Sequence, residues 1–376
     1  MLLIQMRSEE GATGAKASAD ATAKRVTVRD IADELGLHFT TVAEAMRDSS
    51  RVSQKTRQRV HETAERMGYH ADPMLAAFSA YCGKNRRSAF QGTLSWLNAF
   101  PDPEFFESCR GFYRDCYLGA KRRAEELGFR LESFWIAEPG MSKRRSTEIL
   151  LNRNVAGVIV GPLPMEWDGF ELDWELFRSV RIGNSELRAR LSTIKPDHFG
   201  NLKLVYERLL RLGFQRIGYA CTQYMDDRSN NNWSGAYWTM QHRLSPGKML
   251  QPFLDQDPTS CKKSFLEWYR KEKPQVIMCG GAWRYQRFLN EEGYEIPKDI
   301  QLVNLAADSP DNRLAGIVQN GRLVGMTSVD YVNGAIQRFR VGLESHPKEV
   351  TLRGEWKDGF SLDPSLMKSE NGSPRS

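Results

Sequence analysis

At 376 residues with 40% apolar composition, the chain is too long for one ordinary domain and apolar enough for more than one sizeable core, which excludes both a mini-protein and a disordered polyelectrolyte. The formal charge of +6 is modest, but residues 24–87 hold twelve Lys/Arg against eight Asp/Glu, so the positive surplus lies in about a sixth of the chain. No apolar run approaches the roughly 20 residues of a membrane span. The opening MLLIQM, soon interrupted by Arg7, Glu9 and Glu10, is too short for a secretory signal, so a cytoplasmic chain with no membrane partner is expected. Cys82, Cys109, Cys116, Cys221, Cys261 and Cys279 form no Cys-x-x-Cys pair and no zinc spacing with the six histidines. They read as reduced thiols, with no metal site.

Residues 7–24 are rich in Gly, Ala, Ser and Thr, and 1–24 read as a disordered leader. Order is expected from Thr27, an N-cap with Asp30 three residues on. Val28, Ile31, Ala32 and Leu35 recur at helical spacing until Gly36 stops the helix. A turn of about three residues leads to a second helix from Thr40 to Met46. Val42, Ala45 and Met46 face the first helix, and Phe39, Thr40, Ala43 and Glu44 face outward. Ser53 caps a third helix that runs to Met67 and closes at Gly68, with Val60, Ala64 and Met67 completing a minimal core. Three short helices within residues 25–72, the first two in tight succession, make the pattern of a helix-turn-helix DNA reader. Tight helix pairs also occur in proteins that never meet nucleic acid, so the spelling has to decide.

The spelling is specific. VRDIADELGL, TTVAEAM, RVSQKTRQRV, AERMGY and DPM fall in the order and spacing of the lactose-repressor (LacI/GalR) family of bacterial transcription regulators, which the chain resembles closely here and more loosely to its C-terminus. The resemblance implies a homodimer on double-stranded operator DNA, with Phe39, Thr40 and Glu44 at base edges. It implies Thr41, Ser53 and Arg57 on the phosphate backbone, where Arg51 and Lys55 can assist. Position 44 is usually arginine in similar sequences. Glutamate does not suit phosphate, but it accepts from the amino group of cytosine in the major groove.

After Tyr69 comes HADPMLAAFSAYCGKNRRSAF, where Asp72 and Pro73 start a short helix and Gly83, Lys84 and Asn85 end it. Residues 73–87 thus read as a linker with a helical centre. By resemblance this is a hinge helix that orders on the operator and wedges Phe78 into the minor groove, where leucine is usual. The other reading has Met74, Leu75 and Phe78 docking the linker on the body.

From Gln91 onward short apolar runs alternate with helical segments. QGTLSWLNAF, RLESFWIAE, VAGVIVGP, QRIGYACTQ, PQVIMCGG and IQLVNLAAD read as strands. FFESCRGFYRDCYLGAKRRAEELG reads as one helix carrying Cys109 and Cys116, and SKRRSTEILLNRN, FGNLKLVYERLLRLG and SFLEWYRKEK as others. Such alternation predicts parallel sheets covered on both faces. The resemblance sharpens this to an α/β core of two doubly wound parallel-sheet lobes over residues 88–365, like periplasmic sugar-binding proteins. The first lobe takes 88–195 and 319–347, the second 197–318 and 350–365, and 366–376 is a disordered tail. KPDHFGN, RLGFQRIGYA, EEGYEIPKDIQLV, AGIVQN and TLRGEWKDG are matching landmarks.

Ligands of open parallel sheets bind at the carboxyl ends of strands. Loops there supply Phe100, Asp102, Trp167, Tyr224, Asp226, Trp233, Trp283 and Asp308. Aromatic faces with carboxylates and amides suit a carbohydrate or another polar ring, whereas any one of them alone is more simply lobe packing. Three departures from similar sequences bear on the ligand. Asn232 stands where an effector-binding arginine precedes a glycine, here Gly235. Gly280 and Gly281 replace an Asn-Asp pair. Ala306 replaces an aspartate, with Asp308 two residues on as a substitute. These remove charge-assisted bonds, so the expected effector is neutral or weakly polar and held by stacking, not a phosphorylated sugar.

There is no Gly-x-Gly-x-x-Gly, no phosphate loop, no His-Glu-x-x-His and no Gly-x-Ser-x-Gly, so neither catalytic residues nor a cofactor are expected. Two alternatives stand beside the regulator reading. A double-lobed α/β enzyme would need a cofactor signature, and a solute-binding protein would need an export signal and no residues 25–80.

Overall fold

The computed structural model describes residues 26–46, 52–69, 90–164, 171–184, 187–256, 261–308 and 313–365. The predicted leader, the hinge helix with Phe78, the tail, Arg51 and Trp167 lie outside the described residues. The chain divides into two compact units, one ending at His70 and one beginning at Ala71.

The first unit contains α1 (Val28–Leu35), α2 (Phe39–Ala45) and α3 (Gln54–Arg66). Thr27 and Asp30 form a reciprocal capping box. The Asp30 carboxylate accepts the Thr27 backbone N–H at 2.7 Å, and the Thr27 hydroxyl accepts the Asp30 N–H at 3.3 Å. Gly36 ends α1 in the left-handed region at φ 62°, where a side chain would be strained. Ile31, Ala32, Val42, Ala45, Met46, Val52, Val60 and Ala64 fill the space between the three helices. Each large side chain in that set contributes about 1.5–3 kcal/mol, a small total for so short a unit. Arg66 of α3 pairs with Glu34 of α1 at 2.9 Å across the exposed rim, adding at most about 1 kcal/mol.

The second unit holds two six-stranded sheets. The first is built from β1 (Gly92–Asn98), β2 (Phe129–Trp135), β3 (Val155–Val160), β4 (Ser179–Ile182), β5 (Thr193–Pro196) and β11 (Glu349–Leu352), in the order β11-β5-β4-β3-β1-β2 and all parallel. The second is built from β6 (Ile217–Thr222), β7 (Phe253–Asp255), β8 (Val276–Cys279), β9 (Gln301–Asn304), β10 (Gly316–Val318) and β12 (Glu355–Lys357). Its order is β12-β10-β9-β8-β6-β7, with only β12 antiparallel. Central strands such as β5 and β8 are buried along their whole length, as expected of strands covered by helices on both faces.

Two expectations are corrected. Residues 350–352, assigned to the second lobe, pair in the first sheet, where Val350 lies opposite Ile194 and Leu352 opposite Pro196. The chain changes lobe after them, at Arg353 and Gly354. The long helix read across Cys109 and Cys116 is two, α4 (Phe105–Ser108) and α5 (Phe112–Glu126), because Cys109 is extended and Gly111 takes φ 76°. Cys109 therefore sits in the break, not on a shared helix with Cys116.

The remaining helices are α6 (Lys143–Asn152), α7 (His198–Arg211), α8 (Gln223–Arg228), α9 (Asn232–Leu244), α10 (Cys261–Glu272), α11 (Ala282–Glu291) and α12 (Gly321–Gln337). Although late in the sequence, α12 packs on α5 in the first lobe at backbone distance. A Cβ on Gly119 would lie 2.1 Å from the Arg322 carbonyl oxygen, and one on Gly325 would lie 1.9 Å from that of Cys116. Three crossings join the lobes, near residues 197, 320 and 353. They are tied together: Asp197 receives an ion pair from Arg353 at 3.6 Å, and Asn320 Nδ2 donates to the Arg353 carbonyl at 3.4 Å.

Candidate nucleic-acid interface and interlobe site

The outward side of α2 follows from its packing. Once Val42, Ala45 and Met46 turn inward, Phe39 and Thr40 are exposed and Thr41 and Glu44 are half-buried. Arg29 of α1 lies 5.8 Å from the Phe39 ring centroid, which holds that ring at the surface. The N-cap of α2 is His38, whose Nδ1 lies 2.8 Å from Thr40 Oγ1 and accepts the Thr40 backbone N–H at 3.4 Å. Ser53 caps α3, accepting from the Thr56 N–H at 3.2 Å, with exposed Lys55 and half-buried Arg57 on the same first turn. The head thus places an aromatic, a hydroxyl and a carboxylate on one short helix, with two cations and a capped N-terminus beside it.

In the body, the carboxyl ends of the two sheets are bridged by one arginine. Arg228 ends α8 in the second lobe. Its Nη1 donates to the Leu163 carbonyl of the first lobe at 2.8 Å. The guanidinium lies 5.8 Å from the ring centroids of Tyr113, in the first lobe, and Tyr224, in the second. The Arg228 carbonyl accepts from Asn184 Nδ2 at 3.2 Å, and Asn184 Oδ1 accepts from buried Lys195, which also pairs with Glu349 at 2.8 Å. Aromatic contacts continue into the first lobe, where Tyr113 lies 5.8 Å from Phe100, itself stacked on Phe105 at 3.6 Å.

Behind Arg228 the chain reverses through Asn230 and Asn231, both at positive φ, a conformation asparagine tolerates better than most residues. That reversal sends Trp233 inward, where it meets His198 edge to face at 5.0 Å. Asp226 is fully buried, accepting from the Tyr219 hydroxyl at 2.9 Å and the Ser234 N–H at 3.1 Å. Asp308 Oδ1 accepts the Gln319 N–H at 2.7 Å. The second carboxylate oxygen of each aspartate, His198 Nδ1 and the indole nitrogens of Trp96 and Trp233 are buried without a hydrogen-bond partner. Unpaired buried polar atoms are costly, and these five come from the carboxyl-terminal sides of both sheets. Burial, aided by Lys195, pushes His198 down to about 4, so its ring stays neutral. Burial, and then Asp115, pushes Asp308 up to about 7.

The structure places Asp226, Trp233, Tyr224 and Asp308 on the carboxyl-terminal side of the second sheet but gives other partners to Phe100, Asp102, Asn232 and Trp283. Phe100 stacks within its own loop, and Asp102 caps that loop by accepting the Glu104 N–H at 2.9 Å. Asn232 Nδ2 donates to the Ser229 carbonyl at 2.6 Å. Trp283 is 62% exposed, with Arg284 over its ring at 5.9 Å. Gly280 has a reason of its own: a Cβ there would lie 2.4 Å from Cys221 Sγ and 3.1 Å from the Trp233 ring. Sequence reading missed Arg228, Tyr113, Asn184, Lys195 and His198. Of these only Lys195 and His198 carried a signal, both inside the KPDHFGN landmark. Replacing Arg228 by alanine is expected to separate the lobes, read as a larger radius of gyration in solution scattering. An unchanged radius would show that other contacts hold them.

Residues 27–72 match the model of bacterial regulatory proteins, lacI family. The chain is 22% identical to the maltose regulon regulatory protein MalI of Escherichia coli (strain K12) over 53% of its own length and 54% of that protein, so this match spans about half of the relative. It is 22% identical to the lactose operon repressor of the same organism over 82% of its length and 84% of the repressor. Among solved structures, the transcriptional regulator CelR–cellobiose complex superposes with a TM-score of 0.51 at 16% identity, over 90% of this chain and 100% of that one. At such identity the likeness establishes a shared fold.

Proposed function

Because residues 27–72 match the model of the lacI family of bacterial regulatory proteins, we propose that the chain is a sequence-specific transcription regulator of that kind, acting as a homodimer on operator DNA in the cytoplasm. The observation that carries this reading is the head itself, a capped three-helix unit whose second helix keeps Phe39 and Thr40 exposed after its apolar side is buried. One such helix covers only a few base pairs, so two copies on a roughly palindromic site are needed for useful specificity. Repression is the mode named for the lactose operon relative.

The proposed effector is a small polar molecule, a carbohydrate by analogy with the cellobiose complex. Support in this chain comes from the unpartnered polar atoms of Asp226, Asp308, His198, Trp96 and Trp233. Together they offer donors and acceptors, as a polyhydroxylated ring requires. Arg228 supplies the guanidinium that position 232 lacks, so an anionic substituent fits better than the sequence suggested. Coupling between ligand and operator has to be reciprocal, each changing the affinity for the other by one common factor.

The test is selection of binding sites from a randomised duplex pool with purified protein. A palindromic motif supports the reading, and absence of enrichment at low salt removes it. In the same assay Glu44→Ala is expected to relax one base position by about 1–3 kcal/mol. A variant lacking the Lys55 charge should instead weaken all sequences alike and flatten the salt dependence.

A further inference from the structure

We propose that His38 fixes the hydrogen-bonding polarity of Thr40, so that the second helix reads an exocyclic amino group, cytosine N4 or adenine N6, at that base position. The inference deepens the DNA-reading role above and rests on it. His38 is outside the set of DNA-contacting residues expected from sequence, and its part here is that of a positioning residue.

The argument is one of proton counting. His38 Nδ1 accepts the Thr40 backbone N–H at 3.4 Å, capping α2. A ring nitrogen that accepts carries no hydrogen, so the tautomer that makes this cap holds its proton on Nε2. The 2.8 Å contact between Nδ1 and Thr40 Oγ1 then has one sense: the hydroxyl donates and the ring accepts. A threonine hydroxyl has a single hydrogen and two acceptor sites. With the hydrogen held by His38, exposed Thr40 presents lone pairs and a methyl group to anything that approaches.

An unconstrained threonine turns its hydroxyl to suit either kind of base edge. Thr40 loses that choice. In the major groove cytosine N4 and adenine N6 donate, while guanine O6 and thymine O4 accept. A lone pair is attracted to the first two and repelled by the others. Glu44 lies four residues on, on the same side of the helix, and its carboxylate oxygens are acceptors too. The reading face is therefore acceptor-rich along one helical turn, and the half-site should offer it two amino-bearing bases.

The experiment is site selection from randomised duplexes with the full chain and with His38→Asn, His38→Ala and Thr40→Val. The asparagine amide oxygen falls near the place of Nδ1 and keeps both acceptances. Wild type is expected to select cytosine or adenine at one position that Thr40→Val flattens, and His38→Asn to select the same motif. With His38→Ala, preference at that position alone should fall from roughly tenfold to about twofold or less, admitting guanine and thymine. Circular dichroism confirms that each variant is folded.

Several results overturn the proposal. If His38→Ala weakens binding to every sequence with the motif intact, His38 is a helix cap and nothing more. If wild type prefers guanine or thymine at the Thr40-dependent position, the polarity is reversed. If Thr40→Val flattens no position, Thr40 reads no base. Failure of wild type to select any motif is a different result, which removes the DNA-reading role and this inference with it.

Discussion

Gly325→Ala is expected to lower the stability of the body by about 3 kcal/mol or more, seen as a lower urea midpoint. Helix propensity alone argues the other way, since alanine gains roughly 1 kcal/mol over glycine inside a helix. Packing decides the sign. The added methyl would lie 1.9 Å from the Cys116 carbonyl oxygen and 2.8 Å from the Ala120 nitrogen, which are backbone atoms of α5 and cannot swing aside as a side chain does. The two helices must part, and Val324, Val329, Cys116 and Ala120 lose their close packing with them. Gly334→Ala, on the same helix, is the control. Its methyl meets only the end of the Arg338 side chain at 3.1 Å, and stability should hold or rise. Equal losses at both positions would mean that helix crossing is not the reason.

Asp308→Asn is expected to make the protein more stable at pH 8 and nearly neutral in effect toward pH 4. Burial and Asp115 raise this carboxyl from its ordinary 3.8 to about 7, against the opposing hydrogen bond from Gln319 N–H and the charge of Lys357. Cys116, on α5 beside Asp115, is raised too, mainly by burial, and stays a neutral thiol. A raised pKa means that the folded chain holds a proton that the unfolded chain releases between about pH 4 and 7. The stability linked to that proton is complete below about 4 and is lost as pH rises through 7. Asparagine keeps an oxygen for Gln319 and removes the ionisation. The gain above pH 7 should be on the order of 2 kcal/mol, since partial exposure reduces the full linkage value. Urea midpoints of both proteins at pH 5 and pH 8 measure it. A difference between the two that is the same at both pH values would show that Asp308 does not titrate near neutrality.

How much of this was legible depended on whether a signal was local. The capping box of Thr27 and Asp30, the stop at Gly36 and the cap at Ser53 act within four residues and were read from sequence, as were six strands with long apolar runs. Short strands escaped. β4, β5, β7, β10, β11 and β12 have three or four residues each and, unlike β8 and β9 of equal length, do not sit in a long apolar run that would separate strand from loop. The break at Gly111 was hidden because apolar spacing continues across it. At the strand ends, aromatic type alone could not distinguish Trp233, turned inward by the Asn230–Asn231 reversal, from Trp283, left outside. Arg228 was invisible for a related reason. Its role depends on Leu163 and Tyr113, which lie far away in sequence on the opposite lobe. His38 was passed over because histidine is not among the ordinary helix caps.

The three crossings between lobes also govern how the chain can be made. The first sheet gains its edge strand β11 from residues 349–352, which pair with β5 more than 150 positions earlier, and its helix α12 begins only at Gly321. During synthesis from the N-terminus the first lobe must wait, with one edge of its sheet open, while all of the second lobe but its last strand emerges between its parts. The second lobe in turn closes its own edge with β12, at residues 355–357. Neither lobe can therefore finish until nearly all of the other is made, and both reach completion within a few residues of each other on the ribosome.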